Sequence, residues 1–231
     1  MLSGVRVLEV AAWTFVPAAG AVLAEWGGAD VIKVEPRDGG DPQRGLVTSG
    51  IVSGADQVNY MIEVPNRGKK SIGIDLRTPG GREVLLELAK TADVFLTSYL
   101  PSRRKRLGFD VDDIRAVNPP NIIYVRGSGH GPKGPDADKP GYDGVSYWAR
   151  GGIGAMLTAA TEGVKEIVRQ RPPAFGDLLG GMTIAGGIAA ALYKRATTGE
   201  VGGRRLAGRV GCLEPQPPTS PPVEWPMPGP R

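Results

Sequence analysis

The sequence predicts an α/β protein: a Rossmann-like parallel sheet with helices on both faces, followed by a disordered Pro-rich C-terminal tail. Three observations carry this. Short apolar runs alternate with segments of helical character, the pattern of βαβ units with right-handed crossovers. Gly and Pro punctuate the joins, at Gly27-Gly28 and Thr78-Pro79 for example. The composition then changes abruptly at Val201.

In chain order, VRVLEVA (Val5–Ala11) reads as the first strand, and the small-residue stretch after Pro17 as a helix ended by Gly27 and Gly28. ADVIKVE (Ala29–Glu35) is the second strand and KSIGIDL (Lys70–Leu76) the third. Thr78-Pro79 starts a helix, GREVLLELAKTA, whose apolar residues recur at i, i+3 and i+4. DVFLTSYL (Asp93–Leu100) is the fourth strand, FDVDDIRAVNP a short helix, and NIIYVRGSG (Asn121–Gly129) the fifth strand. A last helix follows Asp177 and runs to about Arg195. Ligands of such sheets bind beyond the carboxyl ends of the strands.

Residues 1–200 form one domain on this reading, and 201–231 a tail with eight prolines between Pro215 and Pro230 and no apolar periodicity. The tail's four arginines and two glutamates hold half of the net charge of +4, so the basic balance gives no reason to expect nucleic acid. The only cysteine, Cys212, excludes a disulfide within the chain and suits a reducing, cytoplasmic setting. VLEVAAWTFVPAAGAVLAEW resembles a signal h-region, but Glu9, Pro17 and Gly20 interrupt it short of the roughly 18 residues of a membrane span, and no membrane association is expected.

Metal chemistry is disfavoured by one histidine and one cysteine, and a Ser–His–Asp hydrolase by the lack of GxSxG. GSGHGPKG (Gly127–Gly134) follows a strand but opens no helix, since Pro132, Pro135 and Pro140 follow, so it lacks the geometry of a dinucleotide fingerprint. It reads as a glycine loop over a ligand or a plain turn, with His130 a turn residue. PSRRKRLGF (Pro101–Phe109) is a solvated basic turn or a phosphate site at the sheet's carboxyl edge. Arg67, Lys69 and Lys70 of NRGKKS make a second basic cluster, and the two together point to a phosphate-bearing cofactor. Asp177 opens an apolar helix among Phe175, Gly176, Gly180 and Gly181: a helix cap, or an acid to which the glycines give access.

These segments together resemble the class III CoA-transferases, the group of formyl-CoA transferase, carnitine-CoA transferase and α-methylacyl-CoA racemase. The matching stretches are VRVLEVA, LAEWGGADVIKVEPRDGGDPQR, NRGKKSIGIDLRTPGGREVLLELAKTADVFLTSY, RLGFD, NPPNIIYVRGSGHGPKGP, GYDGVSYWARGG and FGDLLGGMTIAGGIAAALYKRATTGE, in the family's order from Val5 to Glu200. The resemblance implies that Asp177, the aspartate of the GD motif, attacks an acyl-CoA thioester to give an aspartyl mixed anhydride and CoA thiolate. The thiolate returns to form an aspartyl-CoA thioester, and an incoming carboxylic acid takes the CoA away. The positive end of the helix would keep Asp177 ionised.

The resemblance further implies that Asp143 stands beside the catalytic centre. It sets Arg77 at the nucleotide end of CoA, Ser98 and Tyr99 near the adenine, Arg106 at a phosphate, and Lys139 and Tyr142 along the pantetheine arm. Racemases of the group place histidine where Tyr142 stands, so racemisation is the weaker alternative. Substrates would be an acyl-CoA and a carboxylic acid, with no metal. The family's homodimer interlocks through a second half whose motifs do not follow Glu200, and VGGRRLAG reads like a frameshifted or truncated member. A non-catalytic CoA-binding remnant is the other alternative.

Overall fold

A computed structural model describes residues 1–50, 58–118, 122–159, 162–163, 166–170, 173–199 and 206–209. Five parallel strands, β1 (Arg6–Val10), β2 (Asp30–Glu35), β3 (Lys70–Gly73), β4 (Val94–Thr97) and β5 (Ile123–Ser128), lie in the order 3-2-1-4-5. The order reverses between β1 and β4, which pair directly with Val7 opposite Val94 and Val10 opposite Thr97. That reversal opens a crevice at the carboxyl ends of the two strands.

Alternate strand residues feed two cores. Val7, Val94, Leu96 and Val125 face α1 (Phe15–Glu25) and the long C-terminal helix, whereas Leu8, Val10, Phe95 and Tyr124 pack with Leu85, Phe109 and Ile114 on the opposite face. The predicted helices on both faces are therefore present. The helices between are α2 (Tyr60–Glu63), α3 (Pro79–Lys90), α4 (Pro101–Leu107), α5 (Val111–Val117) and α6 (Ile153–Ala159), and α7 (Phe175–Thr198) closes the set. α3 starts as expected, with the Thr78 hydroxyl accepting the Gly81 N–H at 3.1 Å. α5 begins with a capping box between Asp110 and Asp113.

Several elements differ from the sequence reading. The basic stretch after β4 is a helix, α4, ended by Gly108 at φ +72°. A π-helical segment spans Asp143–Ala149. α1 starts at Phe15, two residues before Pro17, whose fixed φ and missing N–H are tolerated in a first turn. Within the tail, Leu206–Arg209 form β6, parallel to β5, because an extended segment can satisfy the open edge of that strand. The rest of the expected disordered tail lies outside the described residues.

By length and composition α7 is apolar enough to cross a membrane, yet Ile184, Ile188 and Leu192 are buried in the core facing α1. One side of the helix thus packs on the core while the other stays exposed. Gly181 lets it approach closely, since a Cβ there would overlap Ala18 and the backbone of Phe15.

Candidate active site

Two sizeable clefts among the described residues lie along the carboxyl edge of the sheet. One, of about 460 Å³, lies beyond β2, β3 and β4 and is edged by Arg37, Arg77, Arg103 and Arg106. The other, of about 670 Å³, occupies the reversal point between β1 and β4 and contains Trp13, Ser98, Tyr142, Asp143, Gln170 and Asp177. Pro36, Tyr99 and Arg103 line both, so the two clefts adjoin and together make up the groove along this edge. The Ser98 hydroxyl ties the two strand ends together by accepting the Ala12 N–H at 3.1 Å.

The arginine-edged end is built by α4. Its backbone follows β4 directly, so Arg103 and Arg106 project at the strand ends, while Arg104 turns inward to a salt bridge with Asp110 at 3.0 Å. Arg103 stacks over Tyr99, 4.9 Å from the ring centre. Arg77 pairs with Asp75 at 2.8 Å, which holds the Asp75 carboxyl down at about 2. Arg37 was not among the residues singled out from sequence, and Arg103 only as part of the basic stretch Pro101–Phe109; Arg37 sits where the chain leaves β2, a position the sheet direction makes predictable.

The second basic cluster is a different matter. Arg67 binds Glu25, Lys70 binds Asp30, and Lys69 is buried on Glu9. These cations are paired with acids of the chain itself and line neither cleft, so they stand apart from the arginine-edged end. Lys139 is also elsewhere, paired with Asp136 at 2.8 Å and lining neither cleft. His130 is a loop residue, 3.3 Å from the Pro140 carbonyl oxygen and 3.4 Å from the Arg150 guanidinium.

Asp177 lies inside the first turn of α7, so it is not the cap. That place belongs to Ala174, at φ +62° and without a capping side chain. The helix is capped instead by a distant acid. The buried Asp143 carboxylate accepts the Gly176 N–H at 3.3 Å and a hydrogen bond from the Gln170 amide, while its Oδ1 has no partner among the described residues. Gly176 permits this contact, since a Cβ would overlap Asp143 and the Tyr147 ring, and Gly180 likewise makes room for the Phe15 ring. The glycines around Asp177 thus serve packing, where access for a ligand had been expected. A helix capped by a carboxylate is no longer a net positive site for a second one. Burial, then the Asp143 charge, pushes the Asp177 carboxyl up to about 7. Burial also raises Asp143, against the Gln170 amide and the α7 N–H groups. The expectation that the helix terminus keeps Asp177 ionised is corrected accordingly.

Fold and groove define a parallel α/β protein with an arginine-edged channel ending on two coupled acids. The chain belongs to CoA-transferase family III, whose profile matches residues 2–206. It is 36% identical over 87% of its length to the cinnamoyl-CoA:phenyllactate CoA-transferase of Clostridium sporogenes, of which it covers 47%. It is 37% identical over 86% of its length to the probable fatty acyl-CoA transferase Rv3272 of Mycobacterium tuberculosis, covering 48% of that protein. A crystal structure of Rv3272 superposes with a TM-score of 0.75 at 33% identity, over 90% of this chain and 55% of that one. A CAIB/BAIF family protein from Brucella suis gives a TM-score of 0.74 at 31% identity, over 90% and 51% of the two chains. The chain spans about half the length of the curated relatives it matches.

Proposed function

We propose that this protein transfers coenzyme A between carboxylic acids through a covalent intermediate on Asp177. The observation that carries the reading is that the two clefts adjoin. Arginines sufficient for a polyphosphate edge one end, at Arg37, Arg77, Arg103 and Arg106, and an acid of raised pKa stands at the other. CoA would lie along it with its nucleotide at the arginines, its arm passing Tyr99 and Ser98, and its thioester at Asp177.

In the ionised form, the Asp177 carboxylate adds to the thioester carbonyl; the C–O bond forms, the C–S bond breaks, and CoA leaves as thiolate. The thiolate attacks the aspartyl carbonyl of the anhydride, releasing the donor acid and leaving an aspartyl-CoA thioester. The acceptor carboxylate displaces CoA from that thioester, forming a second anhydride, and the thiolate then takes the acceptor's acyl group and frees Asp177. A carboxyl poised near 7 is half ionised at neutral pH and more nucleophilic than an ordinary aspartate. Asp143 holds the α7 turn that presents it, and by its charge raises the neighbouring acid.

A second reading is favoured by the half-length match and by the bare flank of α7, where Leu179, Met182 and Tyr193 are 44%, 49% and 72% exposed. On that reading the chain binds CoA without turnover. Incubation with an acyl-CoA followed by hydroxylamine and mass spectrometry separates the two. A hydroxamate at Asp177, lost in Asp177→Ala, supports the transferase; CoA binding without any adduct supports the second reading.

A further inference from the structure

Below the groove, a chain of alternating charges runs through the protein interior. Lys69 Nζ holds both oxygens of Glu9, at 2.9 and 2.7 Å, and also the Pro17 carbonyl at 2.8 Å. Glu9 reaches Lys33 at 3.3 Å, and Lys33 reaches Asp41 at 2.9 Å. Glu9, Lys33 and Asp41 are 0%, 1% and 1% exposed. Gly20 on α1 accommodates the network, because a Cβ there would collide with the Glu9 carboxylate. Burying four charges is expensive, and well-packed apolar residues would serve stability as well. The network therefore calls for a reason, and its free end supplies one.

Asp41 does more than face Lys33. It accepts the Gln43 N–H at 3.0 Å and, on both oxygens, the Trp13 N–H at 3.2 Å. Trp13 has φ +68°, one of two non-glycine residues in the left-handed region among those described, and the other is Ala174. Both line the cleft that contains Asp177. A bulky residue in that conformation persists only where its surroundings hold it, and such residues gather at functional sites. The turn is clamped on either side as well, by Ala12 on Ser98 and by the Thr14 hydroxyl accepting from the Gln43 amide at 2.7 Å. So held, the Trp13 indole meets the Tyr142 ring edge-on, 6.1 Å between centres.

We propose that Asp41 is a positioning residue, which pins Trp13 in its strained conformation so that Trp13 and Tyr142 form the aromatic wall against which the acyl group of the thioester packs. The last step rests on the reading of the cleft as an acyl-CoA site; the pinning of Trp13 does not. A wall of two rings suits flat, apolar acyl groups.

A double-mutant cycle on the 231-residue chain tests the pinning. Asp41→Asn keeps the side chain's size and gives up the charge, and Trp13→Gly removes the strain, because glycine takes a positive φ freely. Asp41→Asn is expected to lower the urea midpoint of the parent, and to lower it by about half as much or less when position 13 is glycine. Equal losses in the two backgrounds overturn the pinning. Should Asp41→Asn alone fail to fold, recovery of folding in the double variant supports it and failure of both overturns it.

The acyl wall has its own readout, with benzoyl-CoA and free CoA as probes. Asp41→Asn is expected to weaken benzoyl-CoA binding about tenfold and leave free CoA nearly unchanged. Equal weakening of both overturns the wall. If the parent chain binds neither probe, the acyl-CoA reading falls with the wall, while the cycle still decides whether Asp41 pins Trp13.

Discussion

Two basic clusters of similar appearance end in opposite circumstances. Arg67, Lys69 and Lys70 precede β3 and are neutralised by Glu25, Glu9 and Asp30. Arg103 and Arg106 follow β4 and edge an open cleft, with only Arg104 of the three arginines in the stretch turned inward to an acid. The difference lies in strand direction. In a parallel sheet all carboxyl ends share one edge, and the crevice forms there. Cations arriving before a strand enter at the other edge, where only neighbouring acids await them. Counting charges in the sequence does not separate these cases; placing them relative to strand ends does.

The largest effect that would test this contrast is expected at Lys69. Lys69→Met leaves Glu9 buried with Lys33 as its remaining cation, and truncating one member of such a network costs about 3–5 kcal/mol. Urea denaturation should show that loss, while CoA affinity of the folded fraction stays within error. A Lys69→Met protein of normal stability and weakened CoA binding would mean that this cluster does serve the ligand.

At the far end of the groove, Asp177 gives the next effect. Its carboxyl stands at about 7 in the folded protein against 3.8 for an ordinary aspartate. Between those values the folded state keeps a proton that the unfolded chain gives up, so stability falls as pH rises, and the penalty is complete above about 7. Asp177→Asn escapes it. The variant should be more stable than the parent by about 1–2 kcal/mol at pH 8, after allowance for partial exposure, with the gain fading below about pH 4. Nucleophilic attack needs the ionised form, so hydroxamate formation by the parent should rise with pH around an apparent pKa near 7 and vanish in the variant. A gain in stability that ignores pH would sink the coupling of Asp177 to burial and Asp143.

A third effect belongs to the open cluster itself. Arg106→Ala and Arg103→Ala should each weaken CoA binding about tenfold, less at high salt, with unfolding midpoints nearly unchanged. Arg104→Ala should do the reverse, because its guanidinium holds Asp110 and the Tyr99 carbonyl and lines neither end of the groove at the arginine cleft.

The sheet and its main helices were legible because their signals are local: apolar runs, Thr78-Pro79 and the glycines after α1. What escaped was tertiary. α4 hides in a run whose cations carry no apolar spacing. The cap of α7 comes from Asp143, 33 residues before the Gly176 N–H it binds, and no local window contains both. The same distance explains the misread glycines, whose neighbours Tyr147 and Phe15 lie on other elements. The resemblance singled out Asp177, Tyr99 and Arg106, and the last two line one cleft. The surroundings that set the protonation of Asp177 were not legible in the sequence.

The smallest effect sharpens the contrast most. Arg67 makes a two-pronged salt bridge with Glu25, 2.7 Å at its shortest, and would be the obvious phosphate ligand if the chain before β3 faced the groove. Its side chain is half exposed, so the bond is screened by water and salt. Arg67→Ala should therefore leave the unfolding midpoint nearly unchanged, and CoA affinity and its salt dependence untouched. Its position on the wrong edge of the sheet, and not the acid beside it, is what keeps it from the ligand. Glu25→Gln removes that acid and frees the guanidinium without moving it. If strand direction governs, this variant too binds CoA like the parent; if titration calorimetry finds tighter binding, the neutralising acid was the deciding factor and the two clusters differ only in their neighbours.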